Sequence, residues 1–159
     1  MQRPHRTTRG FTLLEMLLSL SLMAVIMVAA AIALHAAQKS HAYNNDKTDL
    51  VARTRGVLDR LGKDVRTALS VEVLDARTIV VTQPNGVIQT YQWDGATGGN
   101  LNYIYQEGLY PNEPVALTGN VESFSVEDGT PTYTLRIALK GTLARSDAAI
   151  TATPRKSLY

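Results

Sequence analysis

From Phe11 to Ala37, 22 of 27 residues are apolar, and the nineteen from Met16 to Leu34 carry no charge. Only Ser19 and Ser21 interrupt that uncharged stretch. At about 1.5 Å per helical residue it covers roughly 28 Å, the thickness of a bilayer's hydrocarbon core. A secretory signal peptide has a shorter apolar stretch, about 7 to 15 residues, with a small-residue cleavage site after it. Here the run is longer, and the most cleavage-like residue, Gly10, precedes it. The pattern therefore predicts a membrane-spanning helix over 11–37.

The polar stretch from Gln38 to Asp49 contains no proline or glycine, so helix can continue through it. Leu50, Val57, Leu58, Leu61, Val65 and Leu69 then recur at three- and four-residue spacing, with charged residues on the other faces. This predicts an amphipathic second half over 38–69. Asp49 with Arg53 and Asp59 with Lys63 have the acid-first i,i+4 order that supports such a helix, while Gly56 and Gly62 weaken it. One nearly continuous helix from about Phe11 to about Leu69 would be on the order of 85 Å long.

Past Ser70 the period changes to two. Val71 to Leu74, Thr78 to Thr82 and Val87 to Trp93 read as strands, with Pro84-Asn85-Gly86 as a turn and Asp94 to Asn100 as a loop. Leu101 to Tyr105, Val121 to Val126 and the alternating run Tyr133 to Lys140 continue the series, and a weaker strand is expected between Ala148 and Thr153, before Pro154. Consecutive strands after one long helix predict an α+β fold, in which a small antiparallel sheet over 70–159 packs on the amphipathic half of the helix.

The 159 residues suit one modest domain, and 45% hydrophobic with 19% charged residues excludes a disordered chain. The absence of cysteine excludes thiol chemistry and thiolate-bound metals, and leaves an exported domain without disulfides. A net charge of +2 suggests at first a nucleic-acid partner. Arg3, Arg6 and Arg9, however, form an acid-free flank before the apolar run, which keeps that end cytoplasmic and exports the rest. Without 1–10 the chain has 13 Lys+Arg against 14 Asp+Glu. The basicity is thus a topology signal, and a nucleic-acid partner loses its support.

Glu15 breaks the pattern of the apolar run. An ionisable group near the bilayer centre costs about 2.5 to 3.5 kcal/mol on insertion scales. One reading places Glu15 close enough to the interface to reach the headgroups. The other uses Gly10: a cut after it would give Phe11 a new α-ammonium, and Glu15, one turn into the helix, would offset a positive terminus on its own or an adjacent chain.

Arg9-Gly10-Phe11-Thr12-Leu13-Leu14-Glu15-Met16 and the apolar run after it closely resemble the class III signal of type IV pilins and type II secretion pseudopilins. The resemblance implies cleavage between Gly10 and Phe11 by a prepilin peptidase, N-methylation of Phe11, and Glu15 as the assembly residue that meets a neighbouring subunit's N-terminal amine. It further implies a leader over 1–10 carrying Arg3, Arg6 and Arg9, and a helix whose second half packs on a small sheet. Major pilins often have a proline where this chain has Ile32, and many close a C-terminal loop with a disulfide. Leu58 to Ala68, Asn120 to Val126 and Thr153-Pro154-Arg155 instead resemble minor subunits, the J-type pseudopilins and W-type minor pilins. The expected function is structural and non-enzymatic: a single-pass inner-membrane precursor that joins the pseudopilus of a type II secretion system, or a type IV pilus. Expected partners are the peptidase, other minor and major subunits and the inner-membrane assembly platform.

No cofactor or metal is expected. His35 and His41 are six apart, which is not the i,i+4 spacing of paired ligands on one helical face, and they read as interfacial polar residues. Six of the seven tyrosines and Trp93 lie after position 90, a concentration that fits cross-strand packing better than ligand binding. No nucleophile elbow or phosphate-cradling loop is present.

Overall fold

The computed structural model describes residues 11–155. The predicted leader over 1–10, with Arg3, Arg6, Arg9 and Gly10, lies outside the described residues. The chain divides into two compact units, Met1–His41 and Ala42–Tyr159. Helix α1 spans Leu13–Thr67, two residues shorter at each end than expected. Up to His41 every described residue is exposed.

In the second unit α1 buries Leu50, Thr54, Val57, Leu58, Leu61, Gly62 and Val65, a stripe with regular three- and four-residue steps. Two of its members are not apolar side chains. Thr54 is fully buried because its hydroxyl donates to the Leu50 carbonyl at 2.7 Å, so no polar group is left unmet. Gly62 makes room for the sheet: a Cβ there would stand 2.8 Å from Cδ1 of Ile150. Leu69, expected on the stripe, lies beyond the helix and is exposed. Its N–H instead donates to the Thr82 carbonyl at 2.7 Å, which hands the chain to the sheet. Of the two expected ion pairs, Arg53–Asp49 forms at 2.9 Å on the surface, and Asp59–Lys63 does not form.

Seven antiparallel strands follow in chain order, β1 Ser70–Asp75, β2 Thr78–Thr82, β3 Ile88–Trp93, β4 Gly99–Gln106, β5 Val115–Gly129, β6 Thr132–Lys140 and β7 Arg145–Ala152. The Pro84-Asn85-Gly86 turn is as expected, with Gly86 at φ +83° and Asn85 Oδ1 accepting the Val87 N–H at 3.2 Å. β4 starts inside the expected loop, and β7 starts three residues early. The largest difference is β5, expected over 121–126 but 15 residues long. It bends at Asn120, whose φ is 58°, where register shifts occur against both neighbours. Residues 115–121 pair with β4, and 121–129 pair with β6. The bend curls the sheet so that its first strand also reaches β5. Val126 N–H donates to the Ala76 carbonyl at 3.0 Å, and the Tyr133 hydroxyl donates to the Val71 carbonyl at 3.2 Å.

The core lies between the α1 stripe and the inner face of this sheet, with Leu61, Val65, Ile79, Val81, Leu101, Val121, Leu135 and Leu139 fully buried. Two polar fastenings set the helix on it. Asp46 Oδ2 accepts the Leu143 and Ala144 N–H groups, at 2.8 and 2.9 Å, and holds the β6–β7 turn. The buried Tyr91 hydroxyl donates to Asp64 Oδ2. The Tyr91 ring centroid lies 5.2 Å from that of Tyr103, and the Arg60 guanidinium lies 4.2 Å from the Tyr103 centroid. These tyrosines join helix to sheet. Burial first, then the hydrogen bond to Asp64, pushes the Tyr91 phenol far above its ordinary value.

Two stability predictions follow from this packing, both readable in the detergent-solubilised chain by the fluorescence of Trp93, its one tryptophan. Leu61→Ala should cost about 2 to 5 kcal/mol of urea stability, and exposed Leu109→Ala less than about 0.5 kcal/mol. Because the folded-state value of Tyr91 is raised, its contribution is complete below the unfolded tyrosine value of about 10 and is lost as pH rises beyond it. The urea midpoint should therefore fall above about pH 10, and fall less in Tyr91→Phe.

Candidate functional site at the helix N-terminus

Phe11 and Thr12 precede α1, and Thr12 occupies the N-cap. Its carbonyl accepts the Glu15 and Met16 N–H groups at 3.1 and 3.2 Å, and its Oγ1 accepts the Glu15 N–H at 3.3 Å. Thr12-Leu13-Leu14-Glu15 thus has the spacing of a capping box, a signal available in the sequence that the apolar pattern obscured. The cap starts the helix immediately after Phe11. It puts Glu15 in the first turn, where a negative charge is favoured by the partial positive charge of the unpaired N–H groups.

The Glu15 carboxylate itself accepts no hydrogen bond and makes no ion pair among the described residues. No other charged side chain occurs from Phe11 to Gln38. The serines nearby are handled differently. Ser19 Oγ donates to the Glu15 carbonyl at 2.8 Å, and Ser21 Oγ donates to the Leu17 and Leu18 carbonyls at 2.9 and 3.0 Å. These back-bonds let both hydroxyls enter an apolar medium satisfied. The large side chains here remain outside any core, with Phe11 73% and Leu17 59% exposed. By length and composition this part of α1 can cross a membrane. What remains chemically open is an exposed Phe11 at the start of the helix and one unmet carboxylate a turn into an apolar surface.

The structure thus places Phe11 and Glu15 at one helix end, while Gly10 and the three leader arginines fall outside the described residues. His35 and His41 are exposed on α1. Among the described residues, no three His, Asp or Glu side chains gather as a metal site.

A family model described as the prokaryotic N-terminal methylation motif matches residues 5–31. No curated protein and no solved structure matches the chain. The matched residues include Arg6, Arg9, Gly10, Phe11, Glu15 and most of the uncharged run, so the chain carries the class III prepilin signal of the type IV pilin and pseudopilin superfamily. The α+β arrangement of a long N-terminal helix packed on an antiparallel sheet is pilin-like. Thr12→Ala should cost the first turn about 0.5 to 2 kcal/mol. Hydrogen exchange in micelles should show this as faster exchange at Leu13 to Met16, with no change beyond His41.

Proposed function

We propose that this protein is a minor pseudopilin, a structural subunit of the pseudopilus of a type II secretion system, cut between Gly10 and Phe11 and N-methylated on Phe11. The observation that carries this reading is the Glu15 carboxylate, unmet among the described residues and one turn from Phe11, in a segment with no lysine or arginine. Cleavage would create the missing cation as the α-ammonium of Phe11. In a filament, Glu15 of one subunit then meets that terminus on its neighbour, and two charges that are costly alone in lipid become one hydrogen-bonded pair.

The minor-subunit reading is supported by the absence of cysteine, by Ile32 where major pilins often have proline, and by α1 running through Ile32 as helix. Arg3, Arg6 and Arg9 hold the leader on the cytoplasmic side, where the prepilin peptidase acts, and the unit after His41 faces the periplasm. The chain's own role is non-covalent: it inserts, is processed, packs with other subunits on the inner-membrane assembly platform and presents its sheet domain.

Mass spectrometry of the membrane-extracted protein should find a chain starting at N-methylated Phe11. An intact Met1 terminus in cells with active peptidase would overturn the proposal. Glu15→Ala should be processed normally yet drop at least tenfold in co-purification with assembled subunits, whereas normal incorporation would count against the charge pair.

A further inference from the structure

At its start, β5 has a partner on one side only. Residues 115–121 pair with β4, whereas pairing with β6 begins at Val121. In an antiparallel strand, alternate residues turn their N–H and C=O groups away from the paired neighbour. From Val115 to Gly119 those groups meet no other backbone among the described residues. Extended backbone is the chemistry that matches such a row, donor for acceptor along its length.

This edge is also undefended. Free edges are commonly guarded by charge or proline, and neither occurs from Val115 to Asn120. The two terminal strands differ. β1 carries Glu72 and Asp75 and gives its Val71 carbonyl to the Tyr133 hydroxyl, and β7 carries Arg145 and Asp147.

Beside the undefended edge lies an open groove of about 400 Å³, lined by Arg53, Gly56 and Val57 of α1 and by Leu117, Thr118 and Gly119 of β5. Gly56 bares the helix backbone there. A Cβ on it would find nothing within 4 Å, so the chain's own packing does not require glycine, and alanine would suit the helix better. Val57 and Leu117 give the groove an apolar floor. Arg53 is the one charged side chain lining it, and its ion pair with Asp49 is exposed and therefore weak.

From the unpaired edge and the bare groove we infer that an extended segment of a different protein adds to β5 at Val115 to Gly119 as a further strand. Its middle is uncharged, with a β-branched side chain over Gly56, and an acidic residue at one end meets Arg53. Main-chain hydrogen bonds to the edge hold it, and the groove selects its side chains. The acceptor edge rests on the second unit alone. That the strand comes from a different protein rests on the minor-subunit reading, since a strand-to-edge contact between copies would propagate along a row of them.

The test uses the full-length chain in micelles and the probe acetyl-Thr-Val-Thr-Val-Thr-Glu-amide. Millimolar probe should slow amide exchange about tenfold at alternate residues from Val115 to Gly119 and leave β1 and β7 unchanged. A control peptide with the same side chains and every backbone nitrogen methylated should have no effect. Gly56→Leu, which fills the groove, should unfold at or above the native urea midpoint yet lose the protection. Equal protection by the methylated control, protection confined to β1 or β7, or no protection would overturn the inference. Protection without probe that grows with protein concentration would place a second copy on the edge and overturn the choice of a different protein. Mass spectrometry of the N-terminus reads the pseudopilin proposal separately: an intact Met1 beside a probe-protected edge removes that proposal and leaves the acceptor edge standing, and a methylated Phe11 beside an unprotected edge does the reverse.

Discussion

A carboxylate one turn into an apolar helix is costly in lipid unless it meets a positive partner, and the segment holds no lysine or arginine to supply one. From Phe11 to Gln38 Glu15 is the only charged side chain. The hydroxyls of Ser19 and Ser21 are met by the helix's own carbonyls, so Glu15 is left open in the first turns among the described residues. The Thr12 cap fixes where the helix starts, and so fixes the separation between Phe11 and Glu15. Charge, cap and cleavage motif converge on the same few residues.

The second half of α1 meets a different solvent by a different rule. Apolar residues on all faces suit lipid, whereas a single stripe suits a sheet. At Ala42–Tyr159 the stripe is completed by the residues that look least suited to it. Thr54 bonds back to Leu50, and Gly62 gives Ile150 its space. Asp46 and Asp64 then fasten the helix to the β6–β7 turn and to Tyr91. Polar groups with satisfied partners add register to what apolar contact alone leaves free to slide.

Much of this was legible from periodicity. The uncharged run, the Leu50 to Val65 stripe, the Pro84-Asn85-Gly86 turn and the alternation of Tyr133 to Lys140 each depend on neighbours along the chain, which a sequence displays directly. The first half of β5 was not legible. The strand was expected to begin at Val121, yet in the fold Gly119-Asn120 is a bend within one longer strand, enforced by pairing with β4 on one side and β6 on the other. Gly62 read as a helix weakener because its partner, Ile150, is far away in sequence. At the site, Gly10, Phe11 and Glu15 stood out by spacing and charge, while Thr12 was overlooked because a capping threonine before an apolar run resembles the run's own edge.

The basic residues before Phe11 first suggested an acidic partner, but without residues 1–10 the side chains sum to a slight negative charge. The account therefore turns on one electrostatic contact between subunits. It is most directly tested by solid-state NMR on assembled material in which one population of this chain carries ¹⁵N at the Phe11 amine and its neighbours carry ¹³C at glutamate carboxyls. The account predicts an intermolecular nitrogen–carbon coupling to Glu15 at ion-pair range, roughly 4 Å. A Glu15 carboxyl with no such coupling in fully assembled, methylated material would contradict it.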